Sequence, residues 1–212
     1  SYITLCREKA LETADKADKN DVPAIKKIPF AVKDNVAYDG VRMTCASHML
    51  ENFVPTYTAE VVERMGGIVL GKTNLDEFAM GSSCEKSLFG ATHNPISYEY
   101  SAGGSSGGSA ASVKACSAPW SVGTDTGGSA RPPSAFCGVV SIKPTYGLVS
   151  SYGVAELASS LDTVCPITKD VFDSALVLEN MAGHDRRDMT STEKESYAGE
   201  FTSAIKKEYG IR

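Results

Sequence analysis

Two glycine-rich runs, each with a serine near its centre, lie close together in the middle of the chain. Ser105 lies in AGGSSGGSA (102–110) and Ser129 in GTDTGGSAR (123–131). Glycine permits tight turns and positive φ, and it leaves backbone N–H groups accessible. A serine on such a turn can be held outward, with main-chain donors aimed at a reacting oxygen. The two runs therefore favour a serine hydrolase site over a flexible linker.

The composition is that of a globular protein with one substantial core. The chain has 212 residues, of which 42% are hydrophobic and 22% charged. A net charge of −5 argues against direct binding to nucleic acid, which needs a basic face. No apolar run approaches the roughly 20 residues of a membrane helix, so no membrane contact is predicted. Because the chain begins at Ser1 rather than methionine and ends without an obvious stop feature, we expect a segment of a longer protein. Its first residues show no signal-peptide pattern.

The cysteines and histidines give no sign of a metal site. The six cysteines form no C-x-x-C pair, and the three histidines are not clustered. We predict buried free thiols in a reducing compartment, structural or surface histidines, and no metal bound by this chain.

Hydrophobic periodicity and turn residues predict alternating helices and strands. An amphipathic pattern from Ile3 to Lys19 predicts the first helix, and Thr168 is predicted to cap a strong helix that ends at Met181. The other predicted helices are 58–65, 75–80, 109–115, 132–138 and one within 184–212. The predicted strands are 28–33, 68–70, 120–122 and 139–142. This alternation indicates an α/β sheet.

A serine nucleophile needs a base, and a lysine is the better candidate here. None of the three histidines lies in a suggestive context, whereas Lys33 ends an apolar strand and could point into a site. A lysine acts as a base only when neutral. Working near pH 7.5 requires its pKa to fall by roughly 3 units, or roughly 4 kcal/mol. A solvated lysine at a strand end is the alternative.

One segment matches the phosphate-loop pattern G-x-x-x-x-G-K-[ST]. It runs from Gly66 to Thr73. Its variable residues include Ile68, Val69 and Leu70, which favour a strand over a phosphate cradle. A nucleotide-binding module nevertheless stays open as an alternative.

Longer motifs carry a resemblance to a known family. They are PFAVKDN (29–35), NLDEFAMGSS (74–83), GGSSGGSAA (103–111), GTDTGGSARPPSAFCG (123–138), VVSIKPTYG (139–147), ASSLD (158–162) and GHDRRD (183–188). In these the chain resembles the amidase signature family, and within it the A subunits of the aspartyl/glutamyl-tRNA amidotransferases. The resemblance implies an α/β fold with a mixed central sheet and helices on both faces. It also implies that residues 1–212 are the N-terminal and central part of the amidase domain, with the C-terminal half absent.

The resemblance also implies a Ser–cis-Ser–Lys triad. Ser129 matches the nucleophile, Ser105 the bridging serine that follows a cis peptide bond, and Lys33 the base. The implied oxyanion donors are the backbone N–H groups of the turn that precedes and includes the nucleophile: Thr126, Gly127, Gly128 and Ser129. Ser106, Asp125 and Arg131 match supporting residues, although for the last two a plain ion pair is an equal possibility.

The implied activity is hydrolysis of glutamine to release ammonia. A B subunit would use that ammonia, with ATP and Mg²⁺, to amidate Glu-tRNA(Gln) or Asp-tRNA(Asn), and a C subunit would stabilise the pair. This chain itself would need no cofactor, and the expected location is the cytoplasm, with the mitochondrial matrix as the alternative. A general amidase of the same family and a catalytically incomplete interaction module are the alternative functions.

Overall fold

The computed structural model describes residues 1–209, which form one mixed sheet covered by helices. Within these residues the strands are β1 (Tyr2–Leu5), β2 (Phe30–Lys33), β3 (Val69–Thr73), β4 (His93–Asn94), β5 (Ser97–Ser101), β6 (Ser121–Asp125), β7 (Val140–Ser141) and β8 (Thr163–Thr168). The helices are α1 (Arg7–Lys19), α2 (Glu60–Arg64), α3 (Gly107–Lys114), α4 (Arg131–Cys137), α5 (Val171–Met181) and α6 (Glu200–Tyr209). Short 3₁₀ turns lie at Ala24–Lys27, His48–Leu50 and Glu77–Ala79.

The central sheet has the strand order β1-β3-β2-β6-β8-β7. The three middle strands β3, β2 and β6 run parallel, whereas β1, β8 and β7 pair antiparallel with their neighbours. β4 and β5 form a separate hairpin. The predicted mixed sheet is confirmed.

Helices cover both faces of this sheet, as predicted. On one face, residues of α2 and α5 pack with alternate strand residues such as Phe30, Val32 and Val164 in the larger apolar core. On the other face, residues of α3 and α4 pack against Cys165 and Ile167 of β8. Because successive strand residues point to opposite faces, Lys33 leaves β2 on the side away from Val32, toward α3.

Two predicted helix boundaries are wrong. Tyr2–Leu5 is a strand rather than the start of the first helix, because it pairs antiparallel with the edge of β3. Thr168 ends β8 and does not cap a helix, since Asp170 caps α5 by accepting the Asp173 N–H. The strand β8 itself and the β4–β5 hairpin were not predicted.

Other local predictions are confirmed. Proline residues occupy the first turn of α4, and Gly138 ends that helix with a φ of +64°. The tail carries the expected helix, α6; residues 210–212 lie outside the described part of the chain. The prediction of buried free thiols is confirmed for five cysteines and is wrong for Cys116, which is exposed. Within residues 1–209, no helix combines the length and apolar character that crossing a bilayer requires.

The phosphate-loop pattern is part of the sheet. Val69–Thr73 forms β3, and the Lys72 side chain is fully buried, with its Nζ 3.0 Å from Asp34 Oδ1. A phosphate-loop lysine must reach a bound phosphate, which this lysine cannot do. The interpretation of this segment as a strand is therefore confirmed.

Candidate active site

Lys33 lies at the end of β2 with its side chain sealed from solvent. Its Nζ is 2.7 Å from Ser105 Oγ and 2.8 Å from Thr124 Oγ1, and its relative exposure is 0%. Ser105 precedes α3, and Thr124 belongs to β6, which runs parallel to β2. The alternative of a solvated lysine is therefore wrong, and the amine lies against two hydroxyl groups.

Burial changes the protonation of this lysine. Loss of hydration lowers the pKa of Lys33 from 10.5 to about 8, against the opposing effects of Cys84, Cys165, Asp162 and Asp76. Burial also raises the pKa of the Cys84 and Cys165 thiols, which are therefore neutral near pH 7. With its pKa lowered to about 8, part of the Lys33 population is neutral near pH 7.5. The amine can thus act as a base near neutral pH.

The two glycine-rich runs are joined by their backbones. The peptide bond between Gly104 and Ser105 is cis, and the N–H of Ser106 donates to the carbonyl oxygen of Ser129 over 2.9 Å. The Ser106 hydroxyl donates to the carbonyl oxygen of Thr124 over 3.1 Å. Ser106 therefore joins the turn that carries Ser105 to the turn that carries Ser129.

The Ser129 hydroxyl is not in contact with that of Ser105 here. Ser129 is partly exposed, and within residues 1–209 its Oγ makes no hydrogen bond. The structure thus joins Lys33 to Ser105 and holds the backbone of Ser129 beside them, but leaves the second link of the triad open. Hydrogen bonds between catalytic groups commonly tighten only when substrate is bound.

The turn before Ser129 presents free backbone donors. Within the described residues, the N–H groups of Thr126, Gly127 and Ser129 donate to no protein acceptor. Gly128 differs from the prediction, because its N–H donates to Asp125 Oδ1 over 2.7 Å. Three of the four predicted oxyanion donors are therefore free in this arrangement.

Asp125 holds the turn before Ser129 through hydrogen bonds to its backbone. It is buried and accepts hydrogen bonds from the N–H groups of Gly128, Ala130 and Arg131 and from the Arg131 guanidinium. Although burial acts in the opposite direction, the bonds from Arg131 and from these N–H groups hold the pKa of Asp125 below its ordinary value. The Asp125–Arg131 pair is therefore an ion pair that also shapes the turn.

We expect acid to destabilise this turn. Since the pKa of Asp125 is lower in the folded protein, its contribution to stability is full above its ordinary pKa of 3.8 and is lost as the pH falls below it. Asp125→Asn should lower stability at neutral pH by about 1–3 kcal/mol and weaken the dependence of the melting temperature on acid. Asp18→Asn is the control, because Asp18 is 76% exposed in a loose pair with Lys27. An unchanged acid dependence in Asp125→Asn would contradict the assignment.

Two site residues were missed from the sequence. Thr124 was placed beyond the predicted strand, although extension of that strand by two residues would have brought it beside the end of β2. Asp162 lies in a quoted motif but was given no role; it accepts a hydrogen bond from the Thr126 hydroxyl and from the N–H of Leu157 (2.6 Å). Asp162 and Asp125 therefore both accept hydrogen bonds from the turn before Ser129.

Comparison with known proteins identifies the family of this chain. The model of the family described as Amidase matches residues 1–211. The chain belongs to the amidase family. Among curated members, the A subunit of the glutamyl-tRNA(Gln) amidotransferase of Lachnospira eligens is 51% identical over 213 residues, covering 96% of this chain and 44% of the relative.

Solved structures of the amidase family share the fold. The A subunit of the glutamyl-tRNA(Gln) amidotransferase of Thermotoga maritima superimposes with a TM-score of 0.78 at 46% identity, covering 89% of this chain and 45% of that one. The allophanate hydrolase of Kluyveromyces lactis superimposes with a TM-score of 0.84 at 34% identity, covering 91% and 33%. The chain spans less than half the length of these relatives.

Among residues 1–209, no group of three or more His, Cys, Asp or Glu side chains is placed to hold a metal ion.

Proposed function

We propose that Lys33, Ser105 and Ser129 form a Ser–cis-Ser–Lys amidase triad, and that this chain supplies the glutamine-hydrolysing site of a tRNA-dependent amidotransferase. The observation that carries the proposal is the fully buried Lys33 amine, 2.7 Å from Ser105 Oγ, with a pKa lowered to about 8 by burial. A buried amine with a lowered pKa, beside a hydroxyl and near a turn with free N–H groups, is typical of an acyl-transfer site.

The proposed reaction follows from the order of the three groups. Ser129 Oγ attacks the side-chain amide carbon of glutamine while its proton passes through Ser105 to the neutral Lys33 amine. The developing oxyanion accepts hydrogen bonds from the free N–H groups of the turn, which in other enzymes contribute about 2.7–4 kcal/mol each. The proton then returns to the leaving nitrogen and ammonia departs. Water hydrolyses the acyl-enzyme through the same relay.

The proposed substrate and partners come from the relatives. The amidotransferase relatives are named for Glu-tRNA(Gln). We infer that the ammonia passes to a B subunit, which uses ATP and Mg²⁺ to amidate Glu-tRNA(Gln) or Asp-tRNA(Asn), with a C subunit stabilising the complex in the cytoplasm or the mitochondrial matrix. The net charge of −5 fits tRNA being held by the partner rather than by this chain.

Ammonia release tests this proposal. The protein as its gene encodes it, assayed alone and with the B and C subunits, is expected to release ammonia from glutamine. A general amide hydrolase is the second candidate, favoured by the match to an allophanate hydrolase. It would turn over acetamide or allophanate and leave glutamine intact. An interaction module would fail to react with a serine-directed fluorophosphonate, which a functional triad must do.

The pH dependence of the rate provides a second test. Because the neutral form of Lys33 is the base, kcat/KM for glutamine should rise with pH, reach half its maximum near pH 8 and then level off. The sign follows from the lowered pKa: protonated Lys33 accepts no proton, so the rate falls on the acid side. A rate independent of pH between about 6 and 9 would contradict Lys33 as the base.

A further inference from the structure

A second buried ionisable group, the carboxyl of Asp76, lies next to the turn that contains Ser105. Asp76 is fully buried, and within residues 1–209 no Lys, Arg or His nitrogen lies within ion-pair distance of its carboxylate. Its two oxygens accept the backbone N–H groups of Cys84 (2.8 Å) and Lys86 (3.1 Å). Buried carboxylates without a counter-ion are rare, because burial disfavours the charged form.

These two hydrogen bonds fix the loop 81–86 in an unusual conformation. Cys84 has a φ of +57°, a left-handed conformation that non-glycine residues seldom adopt unless their surroundings enforce it. The N–H of that same residue donates to Asp76 Oδ2. Gly81 packs on the carboxylate as well, since a Cβ there would lie 2.3 Å from Asp76 Cγ. The conformation of this loop therefore depends on the Asp76 side chain.

The loop in turn holds the residue that precedes Ser105. The carbonyl oxygen of Ser82 accepts the N–H of Gly104 over 2.8 Å. Asp76 also touches this turn directly, because a Cβ at Gly104 would lie 2.0 Å from Asp76 Oδ2. Asp76 thus lies on one side of the Gly104–Ser105 peptide, and Lys33 contacts the Ser105 hydroxyl.

We propose that Asp76 is a positioning residue for the triad: its buried carboxylate fixes the Gly104–Ser105 turn, whose serine hydroxyl contacts the Lys33 amine. This inference rests on the proposed function. It assigns Asp76 two separable effects, one on the position of Ser105 and one on the pH at which Lys33 becomes a base.

The charges around Lys33 make the second effect specific. Cys84 and Asp76 face the amine from the segment before α3, Asp162 from the segment before β8, and Cys165 from β8 itself. Burial keeps the two thiols neutral, so the opposing effect on the pKa of Lys33 comes from Asp162 and, to a smaller extent, from Asp76. Removing the charge of Asp76 should therefore lower the pKa of Lys33 and keep the amine neutral at lower pH.

The test follows the rate at which a fluorophosphonate labels Ser129 as the pH is raised through the pKa of Lys33. In this reaction the Ser129 oxygen displaces fluoride from phosphorus and its proton passes to Lys33. It is run on the protein as its gene encodes it, with D76N, D76E, S129A and E179Q. Glu179 is a matched control: it is a buried carboxylate whose hydrogen bonds within residues 1–209 come from Thr202, and it is not among the groups that shift the pKa of Lys33.

In D76N, the acid limb of the labelling profile should move about 0.5–1 pH unit lower, with a plateau rate reduced about 3–10-fold. In D76E the charge is kept, so the plateau should fall without that acid shift, and E179Q should match the parent protein. If folded D76N shows the same acid limb as the parent protein, the proposed effect of the Asp76 charge on Lys33 is wrong. A parental plateau in D76E would overturn the positioning role, even if D76N does not fold. Failure of the parent protein to react, or equal labelling of S129A, would instead overturn the proposed function.

Discussion

Replacement of Lys33 by alanine is expected to lower the rate of amide hydrolysis by about a thousandfold or more. Within residues 1–209, the Lys33 amine is the basic group hydrogen-bonded to the Ser105 hydroxyl, and Thr124, the other partner of Lys33, is a neutral hydroxyl. Ser105→Ala removes the hydroxyl that would pass the proton from Ser129 to Lys33, and Ser129→Ala removes the nucleophile. Each change should therefore abolish nearly all turnover, measured as kcat/KM for glutamine or as the rate of fluorophosphonate labelling.

In the proposed relay the three side chains act in sequence, so the losses of activity from replacing them should not add. The double variant Lys33→Ala/Ser105→Ala should be little slower than either single variant. Lys16→Ala is the control, because Lys16 is exposed on α1 and makes no side-chain hydrogen bond within the described residues. Substantial turnover in Lys33→Ala would end the scheme. Multiplying losses in the double variant would show that Lys33 and Ser105 serve separate steps.

Sequence alone was informative where a residue's chemistry and its local context agree. Lys33 ends an apolar strand and Ser105 lies in a glycine run, and the family resemblance placed both in one site. The structure brings their side chains into contact. The resemblance also implied the cis peptide before Ser105, which is present. Both features lie in short segments of the chain, and each segment carries a motif specific enough to be recognised.

The missed elements depend on contacts between distant segments. Tyr2–Leu5 has a helix-compatible pattern, but the free edge of β3 offers it a row of hydrogen bonds that local periodicity cannot reveal. β8 contains Pro166, which has no N–H to donate, so the segment gave no strand signal although it pairs with β6 along its length.

Within the site, the errors concern side-chain geometry. The glycine run correctly suggested exposed N–H groups, but the Asp125 carboxylate occupies the N–H of Gly128. Which donor a nearby carboxylate takes depends on its rotamer, and the sequence does not specify it.

The largest loss of stability is expected from Lys72→Met. Lys72 and Asp34 are both fully buried on neighbouring strands, and Lys72 Nζ lies 3.0 Å from Asp34 Oδ1. Neither atom has another partner in the described part of the chain, so each charge depends on the other. Removing the amine leaves a buried carboxylate without a cation, which typically costs about 3–5 kcal/mol. That is a large part of the roughly 5–15 kcal/mol by which domains are stable.

Chemical denaturation of the parent and variant proteins measures this loss. Asp34→Asn alone should also lower the stability of the protein, because it leaves the buried Lys72 ammonium without an anion. The new amide oxygen can still accept the two hydrogen bonds that Thr44 donates to Asp34 Oδ2. The double variant Asp34→Asn/Lys72→Met removes both charges and should be more stable than Lys72→Met alone, since no uncompensated charge remains. Lys19→Met, at an exposed position on α1, should change stability by less than about 0.5 kcal/mol. Equal stability of Lys72→Met and Lys19→Met would mean that water reaches the pair, and the interior between β2 and β3 would then be far more polar than the packing of these strands indicates.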